Sequence, residues 1–241
     1  MKAQVIVDNI QSTLADKGVY RTDTFVLAGV NDGYRLVALL TMFDERRASI
    51  SVSGARNFVP LPKSGTAEMF APIYLSNGPS GNRVNPADIQ KFEFYSSAWE
   101  GNITGTDGQY YVVFSPYHNA ECMLCVVPVQ NTATQSFTIV GAYIPTVLGL
   151  TDVPRLPETF QDILYYYGVF HGFLSEPNRG QEATQAYGQF VTRVNELTAM
   201  IKSRFPSNQG YKPRPVEFVY DIVTRQQQKD AEPKETKRES Q

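Results

Sequence analysis

Apolar residues recur at helical spacing near the start of the chain, in two runs separated by a glycine. Within each run they lie three and four positions apart, which predicts two amphipathic helices. The first stripe consists of Ala3, Ile6, Ile10 and Leu14. Gly18 is expected to end that helix, and the second stripe consists of Leu27, Val30, Tyr34, Val37 and Thr41. Gly29 and Gly33 weaken the second helix by about 1 kcal/mol each, so we interpret them as a site of close helix packing, with a turn as the alternative.

The same spacing returns after residue 154 and predicts two further helices. Pro157 suits a first helical position, and the stripe that follows consists of Phe160, Ile163, Leu164, Tyr167, His171 and Leu174. After a break at 175–180, a helix over about 181–204 carries a stripe of Ala183, Tyr187, Phe190, Val194, Leu197 and Ile201. Because the connection is short, we expect these two helices to be antiparallel neighbours that pack with the N-terminal pair.

Between the helical ends the spacing changes to two, which is typical of β-strands. A strand from residue 48, a turn at Ser53-Gly54 and a returning segment over 56–62 predict a hairpin. The polar stretch 76–86 is interpreted as a long loop. Further candidate strands cover 89–95, 109–115, 121–129 and 135–143. Since no helical pattern separates them, they predict an antiparallel sheet or a small sandwich.

The order of these elements predicts the α+β class. We expect an antiparallel helical bundle built from both ends of the chain, a β-rich insertion between them and an extended C-terminal arm. The expected domains are 1–46 and 150–205 for the helices, 47–149 for the insertion and 206–241 for the arm. Residues 225–241 contain five basic and four acidic residues, and Ala231 is their one apolar residue. A segment of this kind has no core of its own, so we expect a neighbouring chain to order the arm.

Composition and charge exclude several classes of function. The 241 residues are 42% hydrophobic and 19% charged, as in globular proteins, and 22 Lys+Arg against 24 Asp+Glu give a net charge of −2. The chain therefore lacks the excess of basic residues that is typical of proteins that bind the nucleic-acid backbone. No apolar run approaches the ~20 residues of a membrane span, and the opening residues lack the apolar core of a secretory signal. We therefore expect cytoplasmic synthesis and no membrane contact.

Residues with catalytic or metal-binding chemistry are few. Cys122 and Cys125 have C-x-x-C spacing with His118 nearby, but a structural zinc site needs four ligands and a reactive dithiol needs a helix N-terminus. We interpret both cysteines as inert, buried strand residues. His171 lies on a helical stripe, and no nucleophile–base motif or phosphate-binding glycine loop is present. We predict no catalytic residue, no metal, no cofactor and no enzyme activity, with a small hydrolase kept as an alternative.

Three consecutive tyrosines, Tyr165, Tyr166 and Tyr167, lie on the third predicted helix, and Phe170 and Phe173 follow. Consecutive residues of a helix point in different directions, so at most two of the tyrosines face the core of their own chain. The others are expected to face a partner or water, since aromatic residues are enriched at interface cores. A helix buried on all sides within its own domain is the alternative.

Two stretches of the chain resemble phage head-to-tail adaptor proteins. The first, residues 1–61, includes the opening helices and the motif Leu27…Val30-Asn31-Asp32-Gly33. The second, residues 150–204, includes Leu156-Pro-Glu-Thr-Phe-Gln-Asp-Ile-Leu-Tyr-Tyr-Tyr and Ala186-Tyr187…Phe190. The resemblance implies a ring, commonly of twelve copies, that lies beneath the portal, continues the DNA channel and attaches the tail. It places the protein in the virion neck, assembled in the host cytoplasm, with DNA passing through without specific binding.

The same resemblance implies a C-terminal arm that lies along the portal protein. The residues we assign to this contact are Tyr211, Pro213, Arg214, Val216, Phe218, Tyr220 and Ile222. Segment 216–223 is β-prone and suited to add a strand to a partner sheet, and Arg214 is suited to meet a carboxylate. Other expected partners are tail nozzle or fibre proteins and further copies of the chain. Because 62–149 is longer and richer in β-structure than a minimal adaptor needs, a tail nozzle or tube component and a carbohydrate- or peptide-binding module stay as alternatives.

Overall fold

The computed structural model describes residues 1–15, 21–52, 58–78, 81–86, 110–114, 123–127, 134–176 and 178–204. These ranges contain four α-helices and eight β-strands, which fall into two compact units. The described residues of one unit are helical and fall within 1–41 and 148–204, and those of the other fall within 42–147 and contain the strands. The protein is therefore α+β, as predicted. The finer division into bundle, insertion and arm stays a prediction.

The helical unit begins with α1 (Ala3–Thr13) and α2 (Asp23–Thr41). The stripe predicted on α1 is buried along its whole length. On α2 the predicted face is also buried except at Leu27, which is half-buried because Val26 occupies the core position instead. Gly18 lies outside the described residues. The spacing of apolar residues thus located both helices and placed the α2 face to within one residue.

The unit is completed by α3 (Asp162–Leu174) and α4 (Gly180–Arg204). Pro157 does not begin α3 as predicted, since it precedes a separate 3-10 turn (Glu158–Phe160). Every predicted α4 stripe residue is buried apart from half-buried Tyr187. Ring contacts pair Tyr167 with Phe190 and Phe170 with Tyr187, so residue numbers rise along α3 as they fall along α4. The two helices are therefore antiparallel neighbours.

Two pairs of glycines bring the helices into close contact. A Cβ atom at Gly168 or Gly172 of α3 would overlap the terminal methyl group of Ile10 or Leu14 on α1. On α2, a Cβ atom at Gly29 would lie 2.8 Å from Nδ1 of His171, and one at Gly33 would lie 2.8 Å from Cγ of Tyr167. The order of these contacts makes α1 parallel and α2 antiparallel to α3. The interpretation of Gly29 and Gly33 as a packing site is confirmed.

The second unit contains one sheet with the strand order β1-β8-β4-β5-β6-β7-β2, and β3 pairs with β4. The strands are β1 (Glu45–Val52), β2 (Phe58–Pro60), β3 (Lys63–Ser64), β4 (Ala67–Asn77), β5 (Arg83–Pro86), β6 (Tyr110–Phe114), β7 (Met123–Val127) and β8 (Gln135–Ile144). All pairs are antiparallel except β5 with β6, which is parallel. Phe137, Ile139, Leu75 and Leu124 are fully buried at the centre of its core.

Several strand predictions are confirmed and others are wrong. The predictions for 109–115, 121–129 and 135–143 correspond to β6, β7 and β8, whereas 89–95 lies outside the described residues. The predicted hairpin is wrong because β1 pairs with β8 and β2 pairs with β7. The loop predicted for 76–86 contains the end of β4 and all of β5, whose Val84 pairs with Leu75. Strand β4 itself was not predicted.

Candidate functional site

The residues assigned from the sequence to portal contact all lie outside the described residues. They are Tyr211, Pro213, Arg214, Val216, Phe218, Tyr220 and Ile222. Their role therefore stays a prediction. The other features singled out in the sequence, the motif around Asn31 and the tyrosines of α3, both lie in the helical unit and have defined surroundings.

The motif Val30-Asn31-Asp32-Gly33 holds the helical unit together from α2. Asn31 binds both backbone groups of Leu148: its Nδ2 donates to the carbonyl oxygen at 3.1 Å, and the Leu148 amide donates to its Oδ1 at 2.7 Å. Val30 is fully buried, and Gly33 makes room for the ring of Tyr167. Three of the four residues thus have structural roles, and Asp32 alone is exposed.

Polar side chains also support the irregular segment between Leu148 and α3. The hydroxyl of Tyr34 accepts a hydrogen bond from the Arg155 amide at 2.8 Å, and the side-chain amide of buried Gln161 donates to the Leu156 carbonyl at 3.1 Å. The Ala3 amide at the start of α1 donates to the Asp152 carbonyl at 2.8 Å. Backbone groups that lack a helix or sheet partner need such donors and acceptors when they leave water. This segment is therefore fixed to both N-terminal helices.

The three consecutive tyrosines of α3 are divided between different neighbours. The Tyr165 hydroxyl is 2.9 Å from Oγ1 of Thr13 on α1, and the ring of Tyr166 lies 5.3 Å from that of Tyr165. Tyr167 packs on Gly33 of α2 and on Phe190 of α4. All three are half-buried, so the prediction that they do not all face the core is confirmed, and the alternative of a fully buried helix is wrong.

Tyr167 is one of six partly exposed side chains on α2, α3 and α4, which we call the aromatic face. Its members are Phe25, Tyr167, Phe170, His171, Leu174 and Tyr187. Ring centroids lie 5.1 Å apart for Phe25 and His171, 5.7 Å for Tyr167 and Phe170, and 4.9 Å for Phe170 and Tyr187. Phe25 is 37% exposed and Leu174, at the end of α3, is 61% exposed. Rings anchored on one side and open on the other are typical of interface cores.

The tyrosines of the aromatic face stay protonated at neutral pH. Burial raises the pKa of the Tyr167 hydroxyl, and the nearby Asp32 carboxylate raises it further. Burial also raises the pKa of Tyr187, with a smaller effect from Tyr167. Both hydroxyls therefore remain neutral donors, and Asp32 supplies a negative charge beside the face. The sequence places Tyr167, Phe170 and Tyr187 on predicted helices. Which side of each ring is exposed depends on how α2 and α4 pack beside α3.

Cysteine and metal chemistry finds little support. Cys125 is fully buried in β7, and burial raises its pKa to about 12, while Cys122 and His118 lie outside the described residues. In the ranges that the structure covers, no group of three or more His, Cys, Asp or Glu side chains is arranged to hold a metal ion. Over the same ranges, no helix is long and apolar enough to cross a membrane. A buried, protonated thiol has neither the thiolate nor the access that reactivity requires.

Iodoacetamide is expected to alkylate Cys125 at pH 8 roughly a thousandfold more slowly in the folded chain than in urea, because only the thiolate reacts. The Cys122→Ser variant isolates this signal, and mass spectrometry of timed samples measures it. The same variant in urea gives the reference rate. Equal rates in the two states would show that Cys125 is accessible and ionises normally.

Comparison with known proteins agrees with the resemblance seen in the sequence. A family model described as SU10 adaptor protein matches residues 1–212, which include all the described residues. Of the residues assigned to portal contact, Tyr211 alone lies within that range. Comparison with curated proteins gives no match. The match covers most of the chain, and the protein therefore belongs to the SU10 adaptor family of phage head-to-tail adaptors, which are structural proteins and not enzymes.

Proposed function

We propose that the protein forms a ring below the portal of a phage capsid, continues the DNA channel and attaches the tail. The observation that carries the proposal is the family match over residues 1–212. Membership implies a virion component that oligomerises and interacts with portal and tail proteins. A ring of twelve copies, assembled in the host cytoplasm, is the arrangement that the resemblance suggests.

Different parts of the chain are proposed to serve different contacts. The helices act as one bundle that forms the ring body. The arm, residues 206–241, binds the portal through Arg214 and the apolar residues on either side of it. A closed ring presents many arms at once, so weak individual contacts add up to a durable joint.

The charge of the chain suits a channel through which DNA slides. Its net charge of −2 gives no strong positive field to hold phosphates. A basic lumen would release counterions from DNA and retain the strand, which opposes ejection. We therefore propose that DNA passes the ring without specific binding.

Mixing the purified protein with portal rings tests the proposal. Negative-stain images are expected to show stacked rings with the full chain, and none after deletion of residues 207–241. The melting temperature is expected to change by less than about 5 °C, because all the described helices and strands lie before residue 205.

Deletion of residues 225–241 is the matched control. It removes the charged end of the arm but keeps the residues assigned to the portal, so docking should survive. Absence of stacked rings with the full chain would contradict the adaptor proposal. Docking without residues 207–241, or loss of the fold on their deletion, would contradict the role of the arm.

A further inference from the structure

We propose that the aromatic face of one copy of the chain binds the start of α1 in a second copy. The surface at the start of α1, which we call the N-terminal patch, consists of Lys2, Val5 and Val153. The inference rests on the proposed ring and deepens it by naming the two surfaces that join neighbouring copies. Because a ring is built from head-to-tail contacts, each copy needs two different surfaces that fit each other.

The N-terminal patch has two exposed valines at the first turn of α1. Val5 is 43% exposed and Val153 is 56% exposed. The Ala3 amide donates a hydrogen bond to the Asp152 carbonyl at 2.8 Å, so the residue that follows Asp152 lies beside this turn. The patch is therefore held in place by the backbone. A partner that covers both valines removes their apolar surface from water, which favours association.

The N-terminal patch and the aromatic face lie on different sides of the helical unit. On α3, the glycines that contact α1 and the residues of the aromatic face point about 130° apart at 100° per residue. Val5 also lies nine residues before Leu14, about 14 Å along α1, whereas Leu14 packs on Gly172 near the end of α3. One copy can therefore present both surfaces to two different neighbours. Such a contact continues from copy to copy and does not end at a two-fold dimer.

Opposite charges accompany the two surfaces. Asp32 is exposed on α2 and raises the pKa of Tyr167, so its carboxylate lies beside the aromatic face. Lys2 is exposed immediately before α1, where the nearby Asp8 accepts a hydrogen bond from Gln4 at 2.8 Å. Neither Asp32 nor Lys2 has an ion-pair partner among the residues that the structure describes. This arrangement favours contact between the two surfaces over contact of either surface with itself, in which like charges would meet.

A single contact of this kind is weak. It buries few apolar side chains, and its ion pair stays close to water. Closure of a ring gives every copy two such contacts, and the last copy joins neighbours that are already held in place. The copies are therefore expected to stay separate in dilute solution and to join where the portal gathers them.

Photocrosslinking of concentrated protein tests the inference without any portal protein. The probe p-benzoylphenylalanine replaces Leu174, which at 61% exposure is the most exposed member of the aromatic face for which a fraction is given above. Irradiation at about 1 mM protein captures contacts with dissociation constants up to the millimolar range. Mass spectrometry is expected to find a product of two chains that joins residue 174 to residues 1–9 or 150–155.

Substitutions in the two surfaces are expected to change the yield of this product. Val5→Asp combined with Val153→Asp should lower it about tenfold, because two apolar contacts are lost. Asp32→Lys or Lys2→Glu alone should lower it about threefold, and the two together should restore it because opposite charges meet again. Thr192→Asp, at an exposed position of α4 outside both surfaces, is the control and should leave the yield unchanged.

Far-UV circular dichroism verifies that each variant keeps its helices, and a probe at Phe25 replaces the one at Leu174 if that variant loses them. Links from residue 174 to the aromatic face of the second copy, or to other surfaces, would overturn the inference. So would single-chain products alone, no product, or a yield that the double charge exchange does not restore. Ring stacking on the portal is a separate measurement. Stacked rings without these links would leave the adaptor proposal standing, with other surfaces between the copies.

Discussion

Replacement of Gly33 by leucine is expected to lower the free energy of unfolding by about 3 kcal/mol. A Cβ atom at this position would lie 2.8 Å from Cγ and Cδ1 of Tyr167 and 2.9 Å from its Cβ. The Cβ atom of Tyr167 does not move when its side chain changes rotamer, so the overlap with that atom remains. Tyr167 is held from the far side by Phe190, and α2 must therefore move away from α3. Urea unfolding followed by far-UV circular dichroism measures the effect.

Gly188 on α4 provides the matched control for this prediction. No atom lies within 4 Å of a Cβ built there, so Gly188→Ala should raise stability by up to about 1 kcal/mol through helix propensity alone. Combining Gly33→Leu with Tyr167→Ala should give less destabilisation than the sum of the two, because removal of the ring makes room for leucine. Additive effects, or an unchanged midpoint for Gly33→Leu, would show that the two helices are not in contact here.

Replacement of Arg46 by methionine is expected to destabilise the strand unit by about 3 kcal/mol. The guanidinium group binds both carboxylate oxygens of Asp44, with Nε 3.0 Å from Oδ1 and Nη2 2.7 Å from Oδ2. The Asp44 side chain is only 2% exposed, and the same guanidinium lies over the Tyr143 ring at 5.1 Å. Loss of Arg46 leaves a buried carboxylate without this bidentate partner, which is among the more damaging changes to a protein interior.

Arg47 is the control, since it is the next residue of β1 and is exposed. Arg47→Met should change the free energy of unfolding by no more than about 0.5 kcal/mol. Adding Asp44→Asn to Arg46→Met removes the buried charge and should recover part of the loss. Equal midpoints for the Arg46 and Arg47 variants in urea would contradict a stabilising role for the pair.

Helix positions were predictable because each helix buries a stripe whose period is visible in the sequence. Ala3, Ile6, Ile10 and Leu14 lie at that period and are all buried. The one-residue error at Leu27 arises because Val26 and Leu27 are both apolar, and only contact with another helix decides which one turns inward. The glycines of α2 were informative for a similar reason: an unfavourable residue repeated at helical spacing indicates a neighbour that needs the space.

Strand pairing was less predictable, because alternation identifies a strand but not its partner. Strand β1 was recognised, yet its partner β8 lies more than eighty residues away and the adjacent β2 pairs with β7. Strand β4 was missed because its register shifts on either side of Phe70 and again around Ile73, which interrupts the period of two. Pro72 in the same strand further obscured the pattern.

The candidate site was predictable in its residue types and not in its geometry. The tyrosines of α3 were identified as too many for one core, and their half-burial agrees. The roles of Asn31 and Gln161 were not foreseen, because each binds the backbone of a segment distant in sequence or irregular in shape. The residues around a side-chain amide carry no local signal of such a partner.

The parallel contact of α1 with α3 affects how the chain is completed during synthesis. Ile10 and Leu14 pack against Gly168 and Gly172 of α3. Because α3 and α4 come more than a hundred residues later in the chain, α1 and α2 leave the ribosome long before the helices that cover them. The intervening residues 42–147 take roughly 5 to 20 s to translate at ordinary bacterial rates. During this interval the strand unit can form while the first two helices expose an apolar surface. A chaperone that shields nascent chains is therefore expected to engage residues 1–41 until α3 and α4 have left the ribosome.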